Sequence, residues 1–308
     1  MPMAASSLSS MRADIDGLAD PLIVAPTPTP FDAEDRVDAD ALARNIERWN
    51  RTPLSGFVLG TANGEELSLS DDDKTLIVRV VAETRTPDRM VIAGIDTPST
   101  TYTIDLAARY ADAGADMVRI RIPRQGGDEA VLRYFSEVCS RSPLPVVVIH
   151  QTFTGIPAAS PEVISQICSH DNVFGYITDH DIRFEGRVAL TFPRDKRFWI
   201  CNGGLLLAGA VMGANGACMW LGNIAPGLCR GIMASGLDGS FMDARPLQRT
   251  ATMLDTVINR YGVAGVKCAL NLMGFEGMIP RSPLTPVSED DATGIADALS
   301  RARQSSAP

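Results

Sequence analysis

The chain has 308 residues, a net charge of −9 at pH 7 and a hydrophobic content of 45%. The acidic balance argues against nucleic acids and anionic membranes as partners, because both attract basic surfaces. No apolar run reaches the roughly 20 residues that a membrane-spanning helix needs. Residues 1–20 are rich in Ala and Ser and contain no apolar core typical of a signal peptide. We therefore expect a cytoplasmic protein with a flexible N-terminal arm at 1–20.

Short apolar runs, which predict buried strands, alternate along the chain with amphipathic stretches, which predict helices. The predicted strands are 22–25, 56–59, 90–93, 117–122, 145–149, 173–177, 198–201 and 217–220. Helices are predicted between them at 38–49, 71–83, 101–113, 128–140, 161–169 and 204–212, and beyond them at 247–261, 266–273 and 289–302. Ser70 and Ser160 precede two of these helices as N-caps. This order predicts an α/β fold: a (β/α)8 TIM barrel over 21–236 with a C-terminal helical extension over 237–308.

Cysteine and lysine limit the chemistry that is open to this chain. The six cysteines are far apart and no pair has the CxxC spacing, which favours reduced, mostly buried thiols over disulfides or a cysteine-bound metal. We expect no cofactor. Lysine occurs only at Lys74, Lys196 and Lys267, so few amines are present that could form an imine with a substrate.

Several short motifs follow one another in a fixed order. They are TPFD at 29–32, GTANGE at 60–65, GAD at 114–116, GANG at 213–216, NIAP at 223–226 and PRSPL at 280–284. In this order the chain resembles the dihydrodipicolinate synthase / N-acetylneuraminate lyase family over 21–286. The resemblance implies a barrel that assembles as a homo-oligomer, a dimer or a homotetramer, and that acts on small carboxylates, commonly 2-oxo acids.

The chain departs from that family where the family's chemistry is carried out. Members of the family form a Schiff base on a lysine at the end of the sixth strand, and the matching position here is Ile177. The proton-relaying tyrosine at the end of the fifth strand is matched to His150. The second tyrosine, after the proline that follows strand four, is replaced by Arg124. None of the three lysines is predicted to lie inside the pocket, so we expect no Schiff base.

Histidines at two strand ends are the candidates for proton transfer. His150 ends strand five and His180 follows strand six, and histidine is well matched to proton transfer near neutral pH. Asp179 could fix the tautomer of a neighbouring imidazole. We predict His150, His180 and Asp179 as catalytic residues. Two alternatives remain open: the same groups could bind a metal, or the histidines could be ordinary hydrogen-bonded loop residues.

The turn after strand two is the candidate anion site. Its backbone N–H groups, together with the Thr61 hydroxyl, can hold a carboxylate, and an ordinary tight turn is the alternative. Arg119 and Arg121 share one face of strand four, where they would bind an acidic substrate from inside the barrel or form salt bridges outside it. The predicted substrate-binding residues are Thr61, Ala62, Asn63, Arg121, Arg124, Ile177, Thr178, Asn202, Gly203 and Asn223.

These features predict a divergent lyase, of the aldolase or hydro-lyase type, for a small 2-oxo-acid-like carboxylate. It would use histidine-based acid/base chemistry without a lysine Schiff base, and a retro-aldol cleavage, dehydration, decarboxylation or isomerisation would suit it. Two other functions remain open: a non-catalytic binding or scaffold barrel, and a metal-dependent lyase.

Overall fold

The computed structural model describes residues 20–151, 155–179 and 181–305. Its centre is a sheet of eight parallel strands with the neighbour order β7-β6-β5-β4-β3-β2-β1-β8. The strands are β1 (Leu22–Pro26), β2 (Gly56–Leu59), β3 (Met90–Ile95), β4 (Met117–Arg121), β5 (Val146–Ile149), β6 (Val173–Ile177), β7 (Arg197–Trp199) and β8 (Gly216–Cys218).

The sheet closes between β7 and β8 through Ile200. The Ile200 N–H donates to the carbonyl of Gly216 at 3.1 Å, and the Ile200 carbonyl accepts from the N–H of Cys218 at 2.9 Å. Closure leaves no free strand edge, and the predicted (β/α)8 barrel is confirmed.

Helices follow the strands and surround the barrel. They are α1 (Ala39–Trp49), α2 (Asp71–Thr84), α3 (Thr100–Asp112), α4 (Gly127–Arg141), α5 (Pro161–Cys168), α6 (Ile182–Thr191), α7 (Leu206–Met212), α8 (Pro226–Leu237), α9 (Phe241–Asn259), α10 (Gly262–Leu272) and α11 (Glu289–Ser305). Within the described ranges, no helix is both long and apolar enough to cross a lipid bilayer.

Local sequence explains where several helices begin. Ser70 and Asp73 form a capping box at the start of α2, and the Ser160 side chain accepts from the N–H of Val163 at the start of α5. The sequence prediction missed α6 and α8, and it started α9 at residue 247. The helix begins at Phe241 and contains Pro246. Pro246 is the sixth residue of the helix, so the hydrogen bond that an N–H at this position would donate to the carbonyl of Met242 is absent.

The interior of the barrel is a packed core. Val24, Val58, Ile92, Phe174 and Trp199 are among its fully or almost fully buried side chains. A second, larger core lies between the sheet and the helices. Because the barrel centre is filled, a ligand can enter only at the ends of the strands, and the carboxyl ends carry the loops in which barrel enzymes place their chemistry.

A buried ion pair supports the GAD motif at 114–116. Gly114 adopts a positive φ of 98° that ends α3. Asp116 then accepts from the Val91 N–H at 2.8 Å and from Arg85 Nη2 at 3.0 Å. Both charged side chains are almost fully buried, so their mutual attraction offsets part of the cost of burying each charge.

We predict that Asp116→Ala lowers the free energy of unfolding by about 3–5 kcal/mol, because the buried Arg85 would lose the carboxylate that it bonds directly. Urea denaturation followed by circular dichroism measures the change. Asp112→Ala, at an exposed position of α3, is the matched control and should stay within about 0.5 kcal/mol. Equal effects of the two substitutions would contradict a stabilising role for this ion pair.

Candidate active site

A cavity of about 250 Å³ opens at the carboxyl ends of the strands. We call it the barrel cavity. Its volume lies below the range of about 300–1,000 Å³ that is typical of pockets for drug-sized ligands, so it suits a small metabolite. Strand ends, the loop after β2 and one face of α9 form its wall.

Two isoleucines on neighbouring strands form part of the wall. Ile149 ends β5 and Ile177 ends β6, and the two residues are register partners in the parallel pair. Neither side chain can form an imine or transfer a proton. The position that the sequence matched to the Schiff-base lysine is therefore an apolar part of the cavity wall.

The three lysines all lie within the described ranges, and none of them lines the barrel cavity. Lys196 donates to the carbonyl of His170 at 3.1 Å. Lys267 is fully buried and lies 2.5 Å from Glu65 Oε1. Burial lowers the pKa of Lys267 to about 8, although the charge of Glu65 opposes this shift. Lys74 lies on α2, beside a separate depression.

Arg119 brings a positive charge to the cavity wall. Its side chain is almost fully buried, and its guanidinium bonds Asp96 twice, from Nη1 at 2.5 Å and from Nη2 at 2.8 Å. Arg119 Nε has no hydrogen-bond partner within the described part of the chain. Since a guanidinium has five N–H donors, this residue retains donors beyond the two that Asp96 accepts.

Arg121 and Glu66 complete a buried cluster of two arginines and two carboxylates, which we call the Arg119 cluster (Glu66, Asp96, Arg119, Arg121). Arg121 Nη2 donates to Glu66 Oε1 at 2.8 Å, and Arg121 Nε lies 3.0 Å from Asp96 Oδ1. Burial, reinforced by the neighbouring Asp96, raises the pKa of Glu66 to about 7. Burial also opposes ionisation of Asp96, but the arginines, Arg119 foremost, lower its pKa to about 2.

The loop after β2 places Thr61 beside Arg119. A methyl group added at Gly94 would lie 2.8 Å from Thr61 Cγ2 and 3.0 Å from Arg119 Nη2, so the glycine makes room for both side chains. The Thr61 hydroxyl is buried and lines the cavity, and it has no hydrogen-bond partner among the described residues. A buried donor of this kind is costly unless a ligand or water satisfies it.

The far end of the same loop is firmly anchored. Glu65 has a positive φ of 63°, an uncommon conformation for a residue with a side chain. Besides its contact with Lys267, Glu65 Oε2 accepts from the Arg281 N–H at 2.8 Å. The loop is therefore tied to the C-terminal segment, and this contact brings the motifs at 60–65 and 280–284 together in space.

The opposite wall of the cavity is formed by the loops after β7 and β8 and by α9. Asn202 and Trp220 come from the loops, and Asp255 and Asn259 come from the helix. Two cysteines, Cys201 and Cys218, also line the cavity, and burial raises the pKa of both thiols, that of Cys218 to about 12.

The structure places His150 outside the cavity wall. Its Nε2 accepts from the Ala158 N–H at 3.2 Å, and its Nδ1 lies 3.4 Å from Glu185 Oε1. The ring stacks on Phe184 with the centroids 4.9 Å apart. Because strand residues alternate in direction, Ile149 faces the cavity and the next residue faces α6. The sequence analysis expected His150 at the point of the cavity wall that Ile149, one residue earlier, occupies.

Asp179, the second predicted catalytic residue, is not part of the cavity lining either. Asp179 is buried, and its N–H donates to Glu185 Oε1 at 2.7 Å. His180 lies outside the described residues. Within the described ranges, no group of three or more His, Cys, Asp or Glu side chains is arranged to hold a metal ion.

The predicted substrate-binding residues divide into two groups. Those that line the barrel cavity are Thr61, Ala62, Asn63, Ile177, Thr178 and Asn202, and those outside its lining are Arg121, Arg124, Gly203 and Asn223. Arg121 points into the Arg119 cluster, and Arg124 lies by a separate apolar depression with Leu67. Asn223 has a structural role: its Nδ2 donates to the carbonyl of Pro26 at 2.8 Å.

Sequence reasoning missed several cavity residues. Arg119 was considered with Arg121 as a possible binder of an acidic substrate but was not among the predicted substrate-binding residues, and Gln151, Trp220, Asp255 and Asn259 were not named. The two α9 residues carried a signal, because Gln248, Thr252, Asp255 and Asn259 repeat every three or four residues and therefore share one helix face.

The raised pKa of Glu66 predicts a pH-dependent stability. Folding raises this pKa from its ordinary value of 4.5 to about 7, so the folded protein holds the proton more tightly than the unfolded chain does. The stabilisation from the proton on Glu66 is complete below pH 4.5 and is lost as the pH rises through about 7. Between pH 5.5 and 8.5, the free energy of unfolding of the native protein should fall by about 1–3 kcal/mol more than that of Glu66→Gln.

Urea denaturation at both pH values measures this difference, and Glu83→Gln, at an exposed position of α2, is the control that should follow the native protein. If Glu66→Gln has the same pH dependence as the native protein, the proton on Glu66 does not contribute.

Comparison with known proteins agrees with the barrel and with the ordered motifs. The model of the dihydrodipicolinate synthetase family matches residues 21–302. A 4-hydroxy-tetrahydrodipicolinate synthase of Exiguobacterium sp. is 28% identical over 282 residues, which cover 90% of this chain and 94% of the relative. A protein of Halobacterium salinarum named as a DapA-like lyase is 30% identical over 293 residues, which cover 92% of this chain and 96% of the relative.

A solved structure has the same fold. The dihydrodipicolinate synthase of Bacteroides thetaiotaomicron aligns with a TM-score of 0.84 at 21% identity, covering 92% of this chain and 99% of that one. The family match extends over nearly the whole described barrel and the helices that follow it. The chain therefore belongs to the dihydrodipicolinate synthetase family, a family of lyases.

Proposed function

We propose that this chain is a lyase that binds a small 2-oxo-acid-like carboxylate in the barrel cavity and acts on it without a lysine imine. The observation that carries the proposal is the pairing of an apolar Ile177 with a buried cation, Arg119, in one cavity wall. Among the described residues, the cavity lining contains no amine that could form the imine, but it includes a charge that can attract and polarise an acid.

The carboxylate would bind between Arg119 and the loop after β2. The two side chains flank Gly94, and the Thr61 hydroxyl is a buried group that a carboxylate oxygen would satisfy. The 3₁₀ turn at Ala62–Gly64 adds backbone N–H groups at the same edge of the cavity. A charge-assisted hydrogen bond to a guanidinium is among the stronger polar contacts.

Arg119 would also perform part of the chemical role of a protonated imine. In the imine mechanism, a positive nitrogen draws electrons away from the carbon whose bond breaks. A fixed guanidinium beside the substrate's oxygen would stabilise the negative charge that develops there, as preorganised donors do in other active sites. This supports reactions that pass through an enolate, such as a retro-aldol cleavage or a dehydration.

In this proposal His150 is a positioning residue. With Nε2 accepting from Ala158, the ring's proton lies on Nδ1 and points at Glu185. Tyr176 also donates to Glu185, at 2.9 Å. These bonds tie β5, β6 and α6 together behind the cavity wall. His180 and Asp179 remain predicted catalytic residues.

A second function is favoured by the apolar part of the cavity wall, where Val58 lies with Ile149 and Ile177. A barrel that only binds a small carboxylate would need no reactive group there. Binding of 2-oxo acids without any turnover or proton exchange would support that function over the lyase.

We also propose that the protein acts as a cytoplasmic homo-oligomer. Leu67 is 96% exposed and lies with Leu284 around an apolar depression, which is a suitable surface for a second copy. Size-exclusion chromatography with light scattering tests the assembly.

Borohydride trapping tests the absence of an imine. We expect no pyruvate adduct in the intact mass of the native protein after reduction with borohydride. Ile177→Lys restores an amine at the end of β6, and its partly desolvated nitrogen should form a trappable adduct. This variant also shows that the method detects an imine at that position. An adduct on the native protein would contradict the proposal.

Removal of the Thr61 hydroxyl tests the carboxylate site. Thr61→Val keeps the shape of the side chain but loses one hydrogen bond, worth about 0.5–1.5 kcal/mol, so pyruvate should bind about 2- to 10-fold more weakly. Isothermal titration calorimetry measures the dissociation constant. Thr293→Val, on exposed α11, should bind pyruvate like the native protein. If Thr61→Val binds pyruvate equally well, the carboxylate does not bind there.

A further inference from the structure

One face of α9 is fixed against the mouth of the barrel cavity. Gln248 Oε1 accepts from the Leu207 N–H at 2.8 Å, and its Nε2 donates to the carbonyl of Gly203 at 2.9 Å and to Thr252 Oγ1 at 3.1 Å. These bonds join the helix to the loop after β7. Residues that lie three, four or seven positions further along the helix share the face that Gln248 presents.

Asp255 is on that face, seven residues after Gln248, and it lines the cavity. Its carboxylate lies close to the backbone of the loop after β7, because a methyl group added at Gly203 would be 3.0 Å from Asp255 Oδ1. The absence of a side chain at Gly203 therefore leaves the space that the carboxylate occupies. Asn202 and Asn259 also line the cavity.

The other ionisable groups among the described cavity residues are poorly suited to accept a proton. Arg119 stays protonated at any physiological pH. Burial raises the pKa of the Cys201 and Cys218 thiols, which keeps both of them neutral. An aspartate carboxylate can take up a proton and return it, which Arg119 and the two thiols are poorly suited to do.

We propose that Asp255 is a catalytic residue that transfers the proton in the barrel cavity. This inference rests on the proposed function, because it assumes that a small 2-oxo acid occupies the cavity. The substrate would lie between a cationic wall, formed by Arg119, and an acidic wall, formed by Asp255.

The proton transfer can be written with all atoms accounted for. With pyruvate, a C–H bond of the methyl group breaks and its proton moves to Asp255 Oδ. The electron pair forms the carbon–carbon double bond of an enolate, whose oxygen carries the negative charge beside Arg119. Return of a proton from Asp255 to the carbon regenerates the 2-oxo acid. In D2O, the proton on Asp255 exchanges with solvent, so each cycle can place one deuterium in the methyl group.

The experiment follows deuterium incorporation into pyruvate by proton NMR, with the native protein, Asp255→Asn and Asp243→Asn. Asp243 is an exposed residue at the start of the same helix, so its substitution controls for the loss of one charge from α9. Titration calorimetry with pyruvate on each protein shows whether the site is intact.

We expect Asp255→Asn to bind pyruvate within about 3-fold of the native protein but to exchange its protons roughly 100-fold or more slowly, in the range of effects of general acid–base groups. Asp243→Asn should behave like the native protein. Gly203→Ala offers a second route to the same test, because its methyl group would displace the carboxylate without removing it and should also slow the exchange.

Two results would overturn the proposal while leaving the carboxylate site intact: equal exchange in the native protein and Asp255→Asn, or pyruvate binding by the native protein with no exchange above the buffer rate. Failure of the native protein to bind pyruvate would instead reject the proposed function, and the role of Asp255 with it.

Discussion

The ion pair between Arg119 and Asp96 is the constraint on which the site depends. A guanidinium inside a barrel loses its hydration, and only close counter-charges can compensate for that loss. Asp96 supplies two hydrogen bonds, and Glu66 brings a second carboxylate whose pKa is raised to about 7. While Glu66 is protonated, the two arginines outnumber the charged carboxylates, and the cavity wall carries a net positive charge.

The loop after β2 connects this charged cluster with the barrel cavity. Glu66 belongs to the Arg119 cluster, while Glu65 turns away to Lys267 and the C-terminal segment. One short stretch of chain thus joins the cluster to the outer helices and holds Thr61 at the cavity. The opposite wall depends in a similar way on Gln248, which holds α9 against the loop after β7. Both polar walls are therefore positioned by contacts that lie outside the cavity.

Under the proposed function, an isoleucine at 177 means that the cavity holds its acid without a covalent bond. A covalent imine fixes its substrate irrespective of the surrounding charge, whereas a non-covalent site must supply the affinity through hydrogen bonds and electrostatics. The lining of the barrel cavity includes Ile177, an arginine on β4 and an aspartate on α9. In the proposed function, the arginine attracts and polarises the carboxylate substrate and the aspartate exchanges a proton with it.

Much of the fold could be predicted from the sequence, because buried parallel strands are short apolar runs, and β2 and β6 begin and end at the predicted residues. The cavity was harder to predict. A shift of one residue reverses the direction of a strand side chain, which is why His150 was expected where Ile149 lies. Asp255 lies far from the strands in sequence, so only the packing of α9 on the barrel brings it to the cavity. Periodicity shows which residues share a helix face, but it does not show what that face contacts.

A crystal structure of the protein with pyruvate tests the central claim most directly. The account predicts an intact, non-covalent 2-oxo acid in the barrel cavity, with its carboxylate within hydrogen-bond distance of Thr61 and Arg119. Continuous density from the pyruvate C2 atom to any lysine would contradict it, and so would pyruvate bound away from the Arg119 wall.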